Sequence, residues 1–357
     1  MSVLLGGNGS AFAYGSVLPS LAAEAATLEE LGAAVSAELG RRVPHDGYHL
    51  MGLDPVSGAG SFHVMRHGYG AESLRGLERE FGRPEEAFPF ASLFQGPTPV
   101  GVLSTGVHEH RYCARLHDIM RAEGMCSEMR LALSLGGRAW GGVVLLREKG
   151  SRPFSSAEID QAEKLAGPLA VALRAFVASK PLRIASHGGP PGVIIVDGHD
   201  AIRAVTPGAR EWLRAYVPDP SQPVDDDALF TALCNITHTA RRSPDGSAVS
   251  QLFTPCGWAT AHAQPLGVDG EQGNVITIQP ATADALLPAV AEWYGITLRE
   301  RDVIRHALHG VPVKHIARTL GVSVHTANDH LKSVYRKLGV AGRDELFAAC
   351  LVRTGGS

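Results

Sequence analysis

The stretch ITLRERDVIRHALHGVPVKHIARTLGVSVHTANDHLKSVYRKLGVAGRDELFAACLV, residues 296–352, divides itself into four helices. Thr297 stands three residues before Glu300, the spacing of a capping box. In that motif the Thr hydroxyl accepts the Glu N–H, and the Glu carboxylate accepts the Thr N–H. Gly310 stops the first helix, and Pro312 fits the first turn of the second, where its missing N–H does no harm. Ile316, Ala317 and Leu320 make one apolar stripe. Gly321 permits a tight turn and Ser323 can cap the third helix. Val324, Leu331, Val334 and Leu338 form that helix's buried side, and Gly339 ends it. A fourth helix starts near Arg343. Helix, short Gly-containing turn, then a helix with a polar N-terminal face is the helix-turn-helix pattern. A helical bundle that binds protein is the alternative.

The charge distribution agrees with that pattern. Residues 293–353 hold ten Lys/Arg against five Asp/Glu, while the whole chain of 357 residues carries −3. A tail of +5 on a body of −8 points the tail, not the body, at a polyanion. In a helix-turn-helix the early residues of the recognition helix meet base edges in the major groove. Here those are His325, Thr326, Asn328, Asp329 and Lys332. Asn can pair with adenine, and Asp can accept from cytosine N4. Lys332, Arg336 and Lys337 suit phosphates, which add affinity without sequence information.

Residues 296–352 resemble the LuxR-type (NarL/FixJ-like) DNA-binding domain. The matching residues are Thr297, Arg299, Glu300 and Val303, then Gly310, Ile316, Ala317, Leu320 and Ser323. After the turn, Thr326, His330, Tyr335, Lys337, Leu338, Gly339, Val340 and Arg343 match. Ala327 departs from the pattern, which usually has Val there. The resemblance implies base- or phosphate-facing roles for Asn328, Asp329 and Lys332. It also implies dimer contact through the fourth helix, where Leu346, Ala349 and Cys350 make a small apolar face. Double-stranded DNA, a second copy of the chain and RNA polymerase are the partners it implies. His330 reads as a packed core residue.

Ahead of this tail, GMCSEMRLALSLGGRAWGGVVLLREKGSRPFSSAEIDQAEKLAGPLAVALRAF, residues 124–176, resembles the end of a GAF domain. The stretch GVIIVDGHDAIRAVTPGAREWL, residues 192–213, resembles a PAS-like domain. The expected fold class is α+β: GAF-like and PAS-like antiparallel-sheet domains, then an all-α four-helix domain. The expected boundaries are a flexible start at 1–18, a GAF-like domain at 19–180, a linker at 181–191, a PAS-like domain at 192–285 and the tail at 290–357. Residues 82–107 read as Pro- and Gly-rich connection. Within the first domain Ser155 and Glu158 form a second capping-box spacing.

GAF and PAS folds commonly hold a small ligand between sheet and helices. No residue identifies one here, and no cofactor is expected. His108, His110, Cys113 and His117 are close in sequence, and Cys113 and His117 share an i, i+4 face. That set could take a metal or haem; a polar loop and helix is the plainer reading. No phosphate-binding Gly-rich loop, nucleophile elbow or zinc-protease helix motif is present. An enzyme with a regulatory tail is therefore the weaker reading. No apolar run reaches the roughly 20 residues that span a bilayer, and five scattered cysteines lack disulfide or zinc spacing. A cytoplasmic regulator is the expectation. Its body either senses a small molecule or, without a ligand, serves dimerisation or protein–protein contact.

Overall fold

The structure is a computed structural model describing residues 9–80, 86–105, 107, 110, 113–185, 190–198, 201–214, 226–267 and 273–350. The chain forms two units. One comprises Met1–Leu53 with His63–Phe176; the other comprises Asp54–Phe62 with Val177–Ser357.

The first unit opens with helices α1 (Gly9–Glu24) and α2 (Leu28–Gly40). Within the start expected at 1–18, the chain is helical from Gly9, and Leu18 is buried, as is Ala22 beyond it. The two helices are separated just before Thr27, whose side chain accepts the Glu30 N–H and caps α2. Strands β1 (Gly47–Leu53) and β2 (Gly60–Arg66) follow, then α3 (Ala71–Glu80) and α4 (Phe90–Gln95). Strand β3 (Val100–Ser104) lies inside the segment expected to be plain connection. A short π-helical turn, Arg115–Met120, replaces the α-helix expected there. Strands β4 (Met125–Leu135) and β5 (Arg138–Glu148) are joined through Gly136 and Gly137, both at positive φ, as a two-residue hairpin requires. Helix α5 (Ser156–Ala178) closes the unit, with Glu158 accepting the Ser155 N–H.

The sheet order is β2-β1-β5-β4-β3, and the β1–β5, β5–β4 and β4–β3 ladders are antiparallel. Two adjacent glycines show that β5 is covered on both faces. A Cβ at Gly141 would stand 2.6 Å from Leu173 of α5, and one at Gly142 would stand 2.6 Å from the Phe90 ring of α4. Leu131, Leu133, Leu145, Leu169 and Leu173 are fully or almost fully buried. Burial at roughly 1.5–3 kcal/mol per large apolar side chain is the main stabilising contribution here.

In the second unit, β6 (Gly192–Val196), β7 (Ile202–Val205), α6 (Pro207–Arg214) and α7 (Asp226–Arg242) precede β8 (Ala248–Thr254), β9 (Gly257–Pro265) and β10 (Asn274–Pro280). The order β7-β6-β10-β9-β8 repeats that of the first sheet, strand for strand. The two halves share a topology without a visible sequence repeat. Ile194, Trp212, Leu213, Ile236, Leu252, Ile276 and Ile278 form this core. Helix α8 (Ala283–Trp293) runs across the boundary expected between 285 and 290. The chain ends in α9 (Leu298–Leu308), α10 (Val313–Leu320), α11 (Val324–Leu338) and α12 (Arg343–Cys350). The architecture is α+β: two antiparallel sheets with helices, followed by a helical cluster.

Candidate nucleic-acid interface

Helices α9 to α11 are built by caps and one small core. Thr297 and Glu300 form the full capping box. Gly321 and Gly339 end α10 and α11 with φ of 66° at each, a conformation that disfavours any residue with a Cβ. Pro312 sits one place earlier than expected, as the N-cap of α10. Ser323 caps α11 by accepting the Thr326 N–H. Val303, Ala307, Ile316 and Leu331 form the core, with Leu320 and Tyr335 packed against it. The Arg343 guanidinium ties α12 to the α9–α10 turn by donating to the Ala307 and Val311 carbonyls.

The core leaves one face of α11 open. His325, Thr326, Asp329, Lys332 and Arg336 are exposed, and Asn328 is half-buried beside them. His325 Nε2 lies 3.4 Å from Asp329 Oδ2, with the His side chain 86% exposed. The Thr326 hydroxyl is within 2.8 Å of the Ser323 hydroxyl, so it supports the cap as well as facing outward. Ala327 is fully buried, which places the family departure in the packing and not on the open face. His330 is half-buried. Val324, expected on the buried side, is exposed because the first turn of α11 projects beyond the core.

Two of the expected site residues are engaged within the chain. Lys337 does not point outward: its Nζ lies 2.5 Å from Glu300 Oε2 and 2.8 Å from the Gly295 carbonyl. Burial pushes the Glu300 carboxyl up, but hydrogen bonds from Lys337, Ser333 and Thr297 outweigh it and hold the pKa at about 2. Lys337 therefore neutralises the capping box from inside. Leu346 is 0% exposed within the single chain. Ala349 and Cys350 are half-buried, and burial pushes the Cys350 thiol up to about 11. Of the three apolar residues expected to pair two copies, only Leu346 is fully packed inside one.

Sequence reasoning passed over Lys314, His315 and Arg318 of α10, all exposed. Lys314 and Arg318 are four apart, opposite the buried Ile316 and Ala317. That i, i+4 spacing of bases was the available signal.

The histidine-cysteine set in the first unit is only partly described, since His108 lies outside the described residues. His110 Nδ1 accepts the Ser104 N–H, and the His110 ring packs edge-on against Phe88 at 5.8 Å. Cys113 precedes the π-helical turn, and His117 lies within it. Among the described residues no three His, Cys, Asp or Glu side chains come together as a metal site. Close by, Arg115 and Arg130 pair with Glu128 at 2.8 and 2.9 Å, and Arg130 pairs with Glu86 at 3.0 Å. Tyr69 donates to Glu128. All five side chains are buried. Burial alone would raise the Glu128 carboxyl, but Arg130, Arg115 and Tyr69 hold its pKa at about 2. No helix among the described residues is long and apolar enough to cross a membrane.

Residues 295–349 match the family model of bacterial regulatory proteins of the luxR family. HTH-type transcriptional regulators of Mycobacterium bovis and Mycobacterium tuberculosis are each 46% identical over 54 residues. That match covers 15% of this chain and 6% of each relative. Among solved structures, Escherichia coli SdiA is similar at 12% identity, covering 95% of each chain with a TM-score of 0.34. The GAF domain of the cyanobacteriochrome TePixJ is similar at 13% identity, covering 44% of this chain and 94% of its own, with a TM-score of 0.31. The capped helices, the glycine-closed turn and the family match agree that residues 295–349 are a LuxR-family helix-turn-helix domain.

Proposed function

We propose that the protein is a cytoplasmic transcription regulator whose α11 enters the DNA major groove while the sheet-containing body gates it. The observation that carries this reading is the open polar face of α11 on an otherwise closed core. Asn328 and Asp329 read bases; Lys332 and Arg336 hold phosphates, joined by Lys314 and Arg318 of α10. Lys337 is left out of that set. Two copies on an inverted repeat would bring half-sites about 10 bp apart, with RNA polymerase as the downstream partner. The body is read as GAF-like and PAS-like, supported by the strand order its two sheets share.

A specific observation favours a ligand-free role for the first unit. Between β4 and the Phe88 backbone lies the buried Arg115–Glu128–Arg130–Glu86 ion-pair network. There the first unit would serve contact between proteins, and the second would carry any small-molecule site.

The test is fluorescence anisotropy of the full chain with a labelled 30-bp duplex. If six or more phosphates are contacted, affinity should fall by orders of magnitude between about 50 and 200 mM salt. No binding at the lower salt would refute the reading.

A further inference from the structure

Residues 181–185 form an extended strap within the second unit, although they read in sequence as a plain linker. Its two backbone edges are used by different partners. On one edge, the Leu182 N–H donates to the Leu338 carbonyl at 2.8 Å, and the Ile184 N–H donates to the Ala349 carbonyl at 2.9 Å. These acceptors are the last residue of α11 and the last but one of α12. Helix C-termini leave carbonyls without intrahelical partners, so the strap satisfies one on each helix. On the other edge, the Trp258 N–H donates to the Arg183 carbonyl at 2.7 Å, and the Ala185 N–H donates to the Trp258 carbonyl at 2.9 Å. Trp258 lies at the start of β9 and is buried. The alternation follows from extended backbone, whose successive N–H groups point to opposite sides.

Packing holds the strap as closely as the hydrogen bonds do. Leu182, Ile184 and Ala185 are buried. A Cβ at Gly257 would stand 2.6 Å from the Arg183 carbonyl oxygen, and one at Gly339 would stand 3.1 Å from Pro181 Cα. Glycine is thus required where the strap meets the sheet, and the strap crosses closely over the glycine that ends α11. Four backbone hydrogen bonds on alternate edges make a stiff link, unlike a solvated tether.

We propose that residues 181–185 couple the second sheet to the DNA-binding helices: a displacement at the Trp258 end of β9 is passed to the C-terminal ends of α11 and α12. The effect on DNA rests on the reading given above; the mechanical coupling does not. The open face of α11 is not covered by the strap, so the device acts by setting where the helices stand and not by blocking them.

The test is a double-mutant cycle on the full chain. Gly257→Ala pushes a methyl into the sheet side of the strap. Leu182→Pro with Ile184→Pro removes both N–H donors to the helices while suiting extended backbone. Amide exchange of residues 324–350 and affinity for the 30-bp duplex are read for all four proteins. Gly257→Ala alone should change exchange in α11 and α12 by about tenfold and DNA affinity by at least about threefold. In the double-proline background the same substitution should change either by less than about twofold. Equal effects in both backgrounds, or no effect of Gly257→Ala on exchange, would overturn the proposal. If Gly257→Ala does not fold, Ala185→Pro replaces it, removing one sheet-side donor, with the same two criteria. An intact exchange cycle in a protein that binds no DNA would sustain the strap and refute the DNA-binding reading.

Discussion

Acidification to about pH 5 should remove roughly 4 kcal/mol from the first unit, through two histidines. His49 in β1 and His63 in β2 face each other edge-on, with ring centroids 5.5 Å apart. Each residue is half-buried, but His49 Nε2 and His63 Nδ1 are closed off from solvent. Burial, aided by the neighbouring His63, pushes the His49 pKa down to about 3; burial pushes His63 down to about 4. The unfolded chain binds protons at the ordinary value of about 6.5, while the folded chain refuses them. Their stabilising contribution is therefore fully present above about pH 6.5 and is lost as pH falls towards 4 and then 3. At pH 5 an unfolded-state imidazole is about 30-fold more protonated than neutral, worth about 2 kcal/mol per group at 1.4 kcal/mol per decade. The buried carboxylates act in a different window. Glu128 and Glu158 are held at about 2, so their contribution persists above about pH 4.5 and is lost below it. Urea unfolding at about pH 7.5 and 5.0, followed by pulsed amide exchange in β4 and β5, isolates the histidine effect in this unit. The double variant His49→Leu, His63→Leu should lose most of the difference. An unchanged midpoint in the parent chain, or an undiminished shift in the variant, would refute the reasoning.

Asn328→Ala should cost about 1–3 kcal/mol on the preferred duplex and relax preference at one base position, read by competition with single-base variants. Lys332→Ala should weaken preferred and random duplexes alike and lower the salt slope by about one. Lys337→Ala should leave that slope unchanged and instead cost the tail about 2–3 kcal/mol in urea unfolding, because Glu300 loses its partner; a reduced slope would return Lys337 to the phosphate contacts. Arg130→Met should cost about 3–5 kcal/mol in the first unit, since it leaves Glu86 and Glu128 less compensated in a buried site. A thermal midpoint unchanged by that substitution would show the network to be dispensable.

What could be read in the sequence was what side chains encode locally. The capping boxes at Thr297 and Ser155 and the glycine turns at Gly136-Gly137 and Gly321 each place the decisive groups within a few residues, and each is present. The exposed residues of α11 follow from one helical period. Strand β3 was missed because its apolar run is short and lies among prolines and glycines; only pairing with β4 makes it a strand. The pairing of Lys337 was not legible because basic residues at a helix end look alike in sequence, and only the fold brings its ammonium to Glu300, 37 positions away. Leu346 looked like a surface residue on a weakly amphipathic helix, and the packing of one chain already claims it. The strap was the least legible feature of all. It works through N–H and C=O groups that every residue except proline carries in full, so no choice of side chain announces it. Its sequence trace is negative: Gly257 and Gly339, where a Cβ would crowd the strap, leave room for a backbone that comes from more than 70 residues away. A segment that reads as a linker can thus be tied firmly into the fold when its backbone, and not its composition, makes the contacts.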